Sequence, residues 1–190
     1  PGYAAFLFTP STRIGYISKA EVLAAVEQAF SDVHLEDGIS ANMAEYKEAP
    51  WATRASQYLR LAETDERDDW RKVSDSLLEE RESIFHFSDP KGFRFYAPAF
   101  MHYALRHHEG SMRFIVDGII YALSPDNNVF KELQFEECFT PEQIAAIMMF
   151  LEYCVQQRGT FDGRTAAKVL RSIRQRLGTQ SKQSSERERG

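Results

Sequence analysis

The chain has 190 residues, 43% of them hydrophobic and 13% aromatic, enough to bury a substantial core in one large domain. A net charge of −5 and a pI near 5.6 argue against a dedicated nucleic-acid binder, which carries a strong excess of Lys and Arg. Two cysteines, Cys138 and Cys154, have no C-x-x-C spacing and no further partners, so neither a disulfide framework nor a zinc site is indicated and both read as reduced thiols.

Residues 1–17 form an N-terminal extension. Its apolar stretch, Tyr3 to Phe8, is too short for a signal sequence and lacks a basic segment before it, although Ala4 to Phe8 suits a short strand. Ser18-Lys-Ala-Glu21 is a capping box, and Val22, Ala25, Val26 and Phe30 follow at helical spacing, which predicts a helix over 19–30. Ala44 to Ala49 predicts a further helical turn that Pro50 ends. Ala55, Tyr58, Leu59 and Ala62 fit one helical face, and Asp65 is placed to cap a helix carrying Trp70, Val73 and Leu77.

Ile84 to Phe87 reads as a second short strand. In the next segment Asp89 or Ser88 caps a helix with Pro90 at its first position, and Pro98 should split it into two short helices meeting near Tyr96 and Ala97. His107 and His108 would end the second of these, where imidazoles interact well with exposed carbonyls. Ser111 opens an apolar segment, Met112 to Leu123, followed by a turn at 124–128.

Thr140-Pro-Glu-Gln143 is a second capping box with Pro141 at the first helical position. The helix it starts runs to about Gln157 with apolar residues on almost every face, which predicts the central core helix. Its run from Ile144 to Leu151 is the longest apolar one, far short of the ~20 residues that cross a bilayer. Asp162 then caps a last helix, 163–177, and residues 178–190 read as a disordered polar tail. The sum is a mainly α protein: residues 18–177 form a single-domain irregular bundle of about six to eight helices, with at most one or two short strands. A cytoplasmic location with no membrane contact is expected.

No P-loop, G-x-S-x-G elbow or G-x-G-x-x-G fingerprint occurs, and no cofactor is indicated. His102, His107, His108 and Glu109 cluster in sequence, but a helix presents two metal ligands at i and i+3 or i+4. His102 and His107 are five apart, roughly 140° around the axis at 3.6 residues per turn, so no metal site is expected. Paired carboxylates for acid–base work could come from Glu79, Glu80, Glu82, Asp89, Glu136 or Glu137, each of which also serves as ordinary surface charge. The last helix carries Arg164, Lys168, Arg171 and Arg174, a basic stripe without interleaved aromatics, and nucleic acid is not the expected partner.

The run Phe93-Arg94-Phe95-Tyr96-Ala97-Pro98-Ala99-Phe100-Met101, with Asp68-Asp69-Trp70 upstream and Thr140-Pro-Glu-Gln143 downstream, resembles an uncharacterised bacterial family. That family shares a G-x-R-F-Y-x-P-A-F-M core and a later Thr-x-x-Gln helix, and the likeness covers about residues 20–157. It implies a small cytoplasmic bacterial protein and brings no assigned activity.

Three functions are weighed on these residues, the weakest being RNA or anionic-surface binding by Arg164, Lys168, Arg171 and Arg174. The first is a non-catalytic helical module, of inhibitor or immunity type, that binds another protein through the acidic segment 63–82, which holds nine acids against four bases. The second is a small-ligand or metal-dependent enzyme at the Ala97–Pro98 kink, with Arg94 binding an anion and Tyr96, His102 and Tyr103 around it.

Overall fold

Ser18 begins the first helix as its spacing predicts: its hydroxyl accepts from the backbone N–H of Glu21, and the Glu21 carboxylate accepts from the Ser18 N–H in return. The structure, a computed structural model, describes residues 15–53, 55–109, 113–157 and 159–187. Within them lie ten α-helices and no strand: α1 (Lys19–Ala29), α2 (Ala41–Glu48), α3 (Ala55–Ala62), α4 (Asp75–Glu80), α5 (Ile84–Phe87), α6 (Pro90–His107), α7 (Arg113–Ala122), α8 (Phe135–Cys138), α9 (Pro141–Gln156) and α10 (Gly163–Arg187). Two short 3-10 turns, Trp70–Lys72 and Asn128–Phe130, complete the set. The protein is mainly α. Single-turn helices α5 and α8 carry the number past the six to eight expected.

The core is built around α6, which buries twelve of its eighteen residues and packs against α1, α4, α5, α7 and α8. Helix α9 lies on α1 and α10, and α10 also touches α7. The central role expected of 141–157 therefore belongs to α6. One face of α9 stays open, with Met149 only partly buried and Val155 38% exposed.

Pro98 does not divide α6. The helix runs unbroken from Pro90 to His107, although proline removes the N–H that would bond the Arg94 carbonyl, at a cost near 3 kcal/mol. Ala97, Phe100, Met101, Ala104 and Leu105 are all fully buried around it, and a buried Phe, Met or Leu side chain contributes about 1.5–3 kcal/mol. Packing thus outweighs the missing hydrogen bond.

Other differences from the sequence reading have equally local causes. Ile84 to Phe87 is helical, not extended: with no neighbouring strand among the described residues, its N–H groups bond back along the chain, His86 and Phe87 both to the Ser83 carbonyl. Asp65 caps no helix of its own. Asp69 caps the 3-10 turn at Trp70 and Ser74 caps α4, while Asp65 serves α2. Helix α2 starts at Ala41, three residues before the turn expected at Ala44, and α10 continues past Gly178 to Arg187, where composition suggests a disordered tail. The strand expected at Ala4 to Phe8 and the start of the apolar segment at Ser111 and Met112 lie outside the described residues.

The start of α2 shows how the bundle is tied together. An α-helix begins with N–H groups that have no partner within it. Here the Ala41 N–H donates to the Tyr96 hydroxyl of α6 (3.0 Å), the Asn42 N–H to the Asp65 carboxylate (3.0 Å) and the Met43 N–H to the Ser40 hydroxyl (3.4 Å). The Asn42 side chain extends the link, donating to Asp65 at 2.6 Å and accepting from Arg81 Nε at 2.9 Å.

Candidate functional site

The four side chains expected at the Ala97–Pro98 position face different neighbours. Tyr96 is buried against α2, and burial pushes its phenol above the usual tyrosine range. Tyr103 donates to Glu79 Oε1 of α4 at 2.8 Å, and its phenol is pushed up to about 12 by burial and by that carboxylate. His102 meets the indole of Trp70 edge-on, ring centroids 4.9 Å apart. Arg94 reaches Glu36 at 3.5 Å, and its Nε is buried without a hydrogen-bond partner among the described residues. Ala97 and Pro98 are buried in the helix interior and line neither of the two clefts described below.

The first of those clefts is a broad, open groove of about 1670 Å³ between α1 and α9, floored by small side chains such as Ala25, Ala29, Ala145 and Ala146, with Arg94 on its lining. Of the expected site residues, only Arg94 enters it.

The acidic segment 63–82 is largely occupied with holding the fold. Asp65 bonds Asn42, Glu66 accepts from the N–H groups of Asp68 and Asp69, and Asp69 pairs with Arg71. Asp75 takes both Arg106 (2.6 Å) and His107 (2.9 Å), Glu79 takes Tyr103, and Glu80 takes Arg81. Helix α4 is thereby strapped to the C-terminal half of α6. Glu82, at the end of the segment, is exposed and forms no ion pair among the described residues.

Glu82 borders the second cleft, of about 660 Å³, between α5 and α7. Helix α7 supplies one wall. Its buried stripe is Ile115, Val116, Ile119 and Ile120, continued by Leu123 just past its end, and the opposite face carries Phe114, Asp117, Gly118 and Tyr121. Phe114 is 75% and Tyr121 57% exposed, an unusual position for two large rings separated by two helical turns. Gly118 lies between them. A Cβ there would sit 2.8 Å from the Phe85 ring, so glycine lets that ring of α5 pack against α7, where it lines the cleft between the outer rings. Phe85 and His86 of α5 complete the lining with Ala122 and Asn127.

This cleft is braced from beneath. Asn127 Nδ2 donates to the carbonyls of Phe85 and Ala122, both at 3.1 Å, joining the ends of α5 and α7. Asp162, which caps α10 through Thr165, accepts from the Tyr121 hydroxyl (3.1 Å), and its own N–H donates to Asp117 (3.0 Å). Carboxylates Glu82 and Asp117 flank the space. Phe114 and Tyr121 are not among the residues the sequence motifs single out. Their signal was present: within the run 112–123 both fall off the stripe that the aliphatic residues define.

Among the described residues no three His, Cys, Asp or Glu side chains come together as metal ligands, and no helix is long and apolar enough to cross a membrane. Cys138 and Cys154 are free thiols. On α10, Arg174 pairs with Glu152 while Arg164, Lys168 and Arg171 are exposed.

The chain is thus mainly α-helical, with a cleft between α5 and α7 that two exposed rings and two carboxylates line. It belongs to the family of unknown function DUF6714, whose sequence profile matches residues 18–174 and so spans the Phe93 to Met101 motif. Neither a curated protein nor a solved structure matches it.

Proposed function

We propose that this protein is a non-catalytic module that binds a partner protein through the cleft between α5 and α7. The observation that carries this reading is the pair of outward rings, Phe114 and Tyr121, held apart on either side of Gly118. Exposing them to water is unfavourable, and covering them with a partner recovers that cost. The separation of Arg94, Tyr96, His102 and Tyr103 supports a binding role over catalysis by those residues. The acidic segment 63–82 contributes through Glu82 at the cleft mouth, most of its other carboxylates being bound within the fold. A bacterial cytoplasm as the setting, and an inhibitor or immunity-type role there, rest on the motif resemblance and on the absence of a familiar catalytic motif.

The test is capture from a lysate of the native host, using the full chain and a Phe114→Ser, Tyr121→Ser variant shown by circular dichroism to fold. A protein retained by the wild type and lost by the variant is the expected result. Identical sets retained by both would refute the reading.

A further inference from the structure

The shape and charge of the cleft define what kind of partner residue fits it. We infer that it receives the side chain of a single basic residue, arginine or lysine, presented by the partner; this rests on the cleft being the partner-binding surface.

Three features of the cleft carry the inference. Phe114 and Tyr121 are seven residues apart on one helical face, about 10.5 Å along the axis at 1.5 Å per residue. At the intervening position the Phe85 ring packs against Gly118, so a slim side chain laid between the two outer rings would meet an aromatic surface. The lining is apolar in its body, through Phe85, Gly118 and Ala122, and acidic at its edges, through Glu82 and Asp117. A long basic side chain has the same division, an aliphatic stem with a charged head. Aromatic faces attract the head electrostatically, and the carboxylates Glu82 and Asp117 at the cleft edges favour it further.

An apolar occupant would match the rings but leave two carboxylates beside a dry surface. An acidic one would meet like charge. The chain's overall charge of −5 also favours approach by a basic partner. Two parts of the cleft are held before any partner arrives, Tyr121 by Asp162 and the α5 end by Asn127. On that side of the cleft little ordering is required on binding.

The experiment is an amide NMR titration of the full chain with three small probes: N-acetyl-arginine amide, N-acetyl-lysine amide and N-acetyl-norleucine amide. Saturable shifts at Gly118 and Tyr121 are expected for the two basic probes, with affinities at least about tenfold above norleucine and weakened by added salt. Phe114→Ser should lower basic-probe affinity by roughly two- to fivefold, the scale of one exposed cation–π contact, and Glu82→Gln should reduce its salt dependence. Equal binding of the norleucine probe would overturn the basic-residue inference, as would basic-probe binding that Phe114→Ser leaves unchanged, or no saturable shift at all. None of these results touches the lysate comparison, so a captured partner that is lost with the Phe114 and Tyr121 substitutions would leave the cleft as its docking site with different chemistry.

Discussion

Gly38 and Gly92 meet backbone to backbone: a Cβ on Gly38 would lie 2.7 Å from the Gly92 nitrogen, and one on Gly92 would lie 2.3 Å from the Ile39 carbonyl oxygen. Asp89 fastens the same contact, its Oδ1 accepting from the N–H groups of both Gly92 (2.9 Å) and Ile39 (2.8 Å). One carboxylate oxygen thus caps α6 and pins the loop before α2. Because the opposing atoms are backbone, they cannot swing away as a side chain would. Gly92→Ala is expected to lower stability by about 3 kcal/mol, the upper end of typical overpacking costs, despite alanine's better helix propensity. Urea unfolding checks this, and a midpoint equal to that of the wild type would show that the two segments can separate freely.

Tyr96 turns from a candidate ligand-binding group into a structural acceptor, and its replacement measures that role. Tyr96→Phe leaves the buried Ala41 N–H without its partner, which costs ~1–3 kcal/mol. Tyr103→Phe removes a bond to Glu79, whose carboxylate is exposed and regains water, so its cost should be ~0.5–1.5 kcal/mol. Equilibrium unfolding of both variants tests the order, and hydrogen exchange at Ala41 should accelerate only in Tyr96→Phe. The reverse order would mean that α2 is not held through its first turn.

What the sequence made legible, and what it hid, divides by range. The capping boxes at Ser18 and Thr140 and the cap at Asp162 were readable because donor and acceptor lie three residues apart. The start of α2 was not, since two of its acceptors, Tyr96 and Asp65, are 55 and 23 residues from the groups they serve. Pro98 breaks a helix by local propensity alone, which takes no account of how deeply α6 is packed. Composition suggested an acidic face over 63–82, yet whether a carboxylate meets solvent or Arg106 depends on the fold. Of the candidate cleft, the rings at Phe114 and Tyr121 were within reach of periodicity, whereas the approach of α5 beneath Gly118 was not.

The two thiols should be almost inert in the folded protein. Burial pushes the Cys138 thiol up to about 12 against the opposing charge of Arg94, and its Sγ donates to the Pro90 carbonyl at 3.3 Å. Cys154 is also buried, and burial holds its thiol well above the ordinary 9.0. Thiolate is the reacting species, so at pH 8 a group at about 12 is roughly a thousandfold less ionised than a free cysteine near 9. Treatment with a disulfide reagent such as Ellman's should modify neither thiol within minutes in buffer and both in denaturant. Rapid modification of either one in buffer would require an opening of the core beside α8 or α9.

His102 gives stability a dependence on pH that can be isolated. Burial against Trp70 lowers its pKa below the ordinary 6.5, Glu27 and the Leu23 backbone oppose that shift, and Arg106 and Arg71 add to it. As pH falls through 6.5 the unfolded chain takes up a proton on this imidazole before the folded protein does. The unfolded state then binds more protons, and stability must fall with decreasing pH. Carboxylates with lowered pKa, such as Asp37, Glu66 and Asp162, act in the same direction but only toward and below their ordinary values of 3.8 to 4.5. The interval between about pH 5 and 6.5 therefore separates His102 from them. Urea unfolding at pH 7.5 and pH 5.5 should show a larger loss for the wild type than for His102→Gln, whose side chain does not titrate. Equal losses in the two proteins would mean that His102 is protonated in the folded state as readily as in the unfolded chain, and that water reaches the ring despite Trp70.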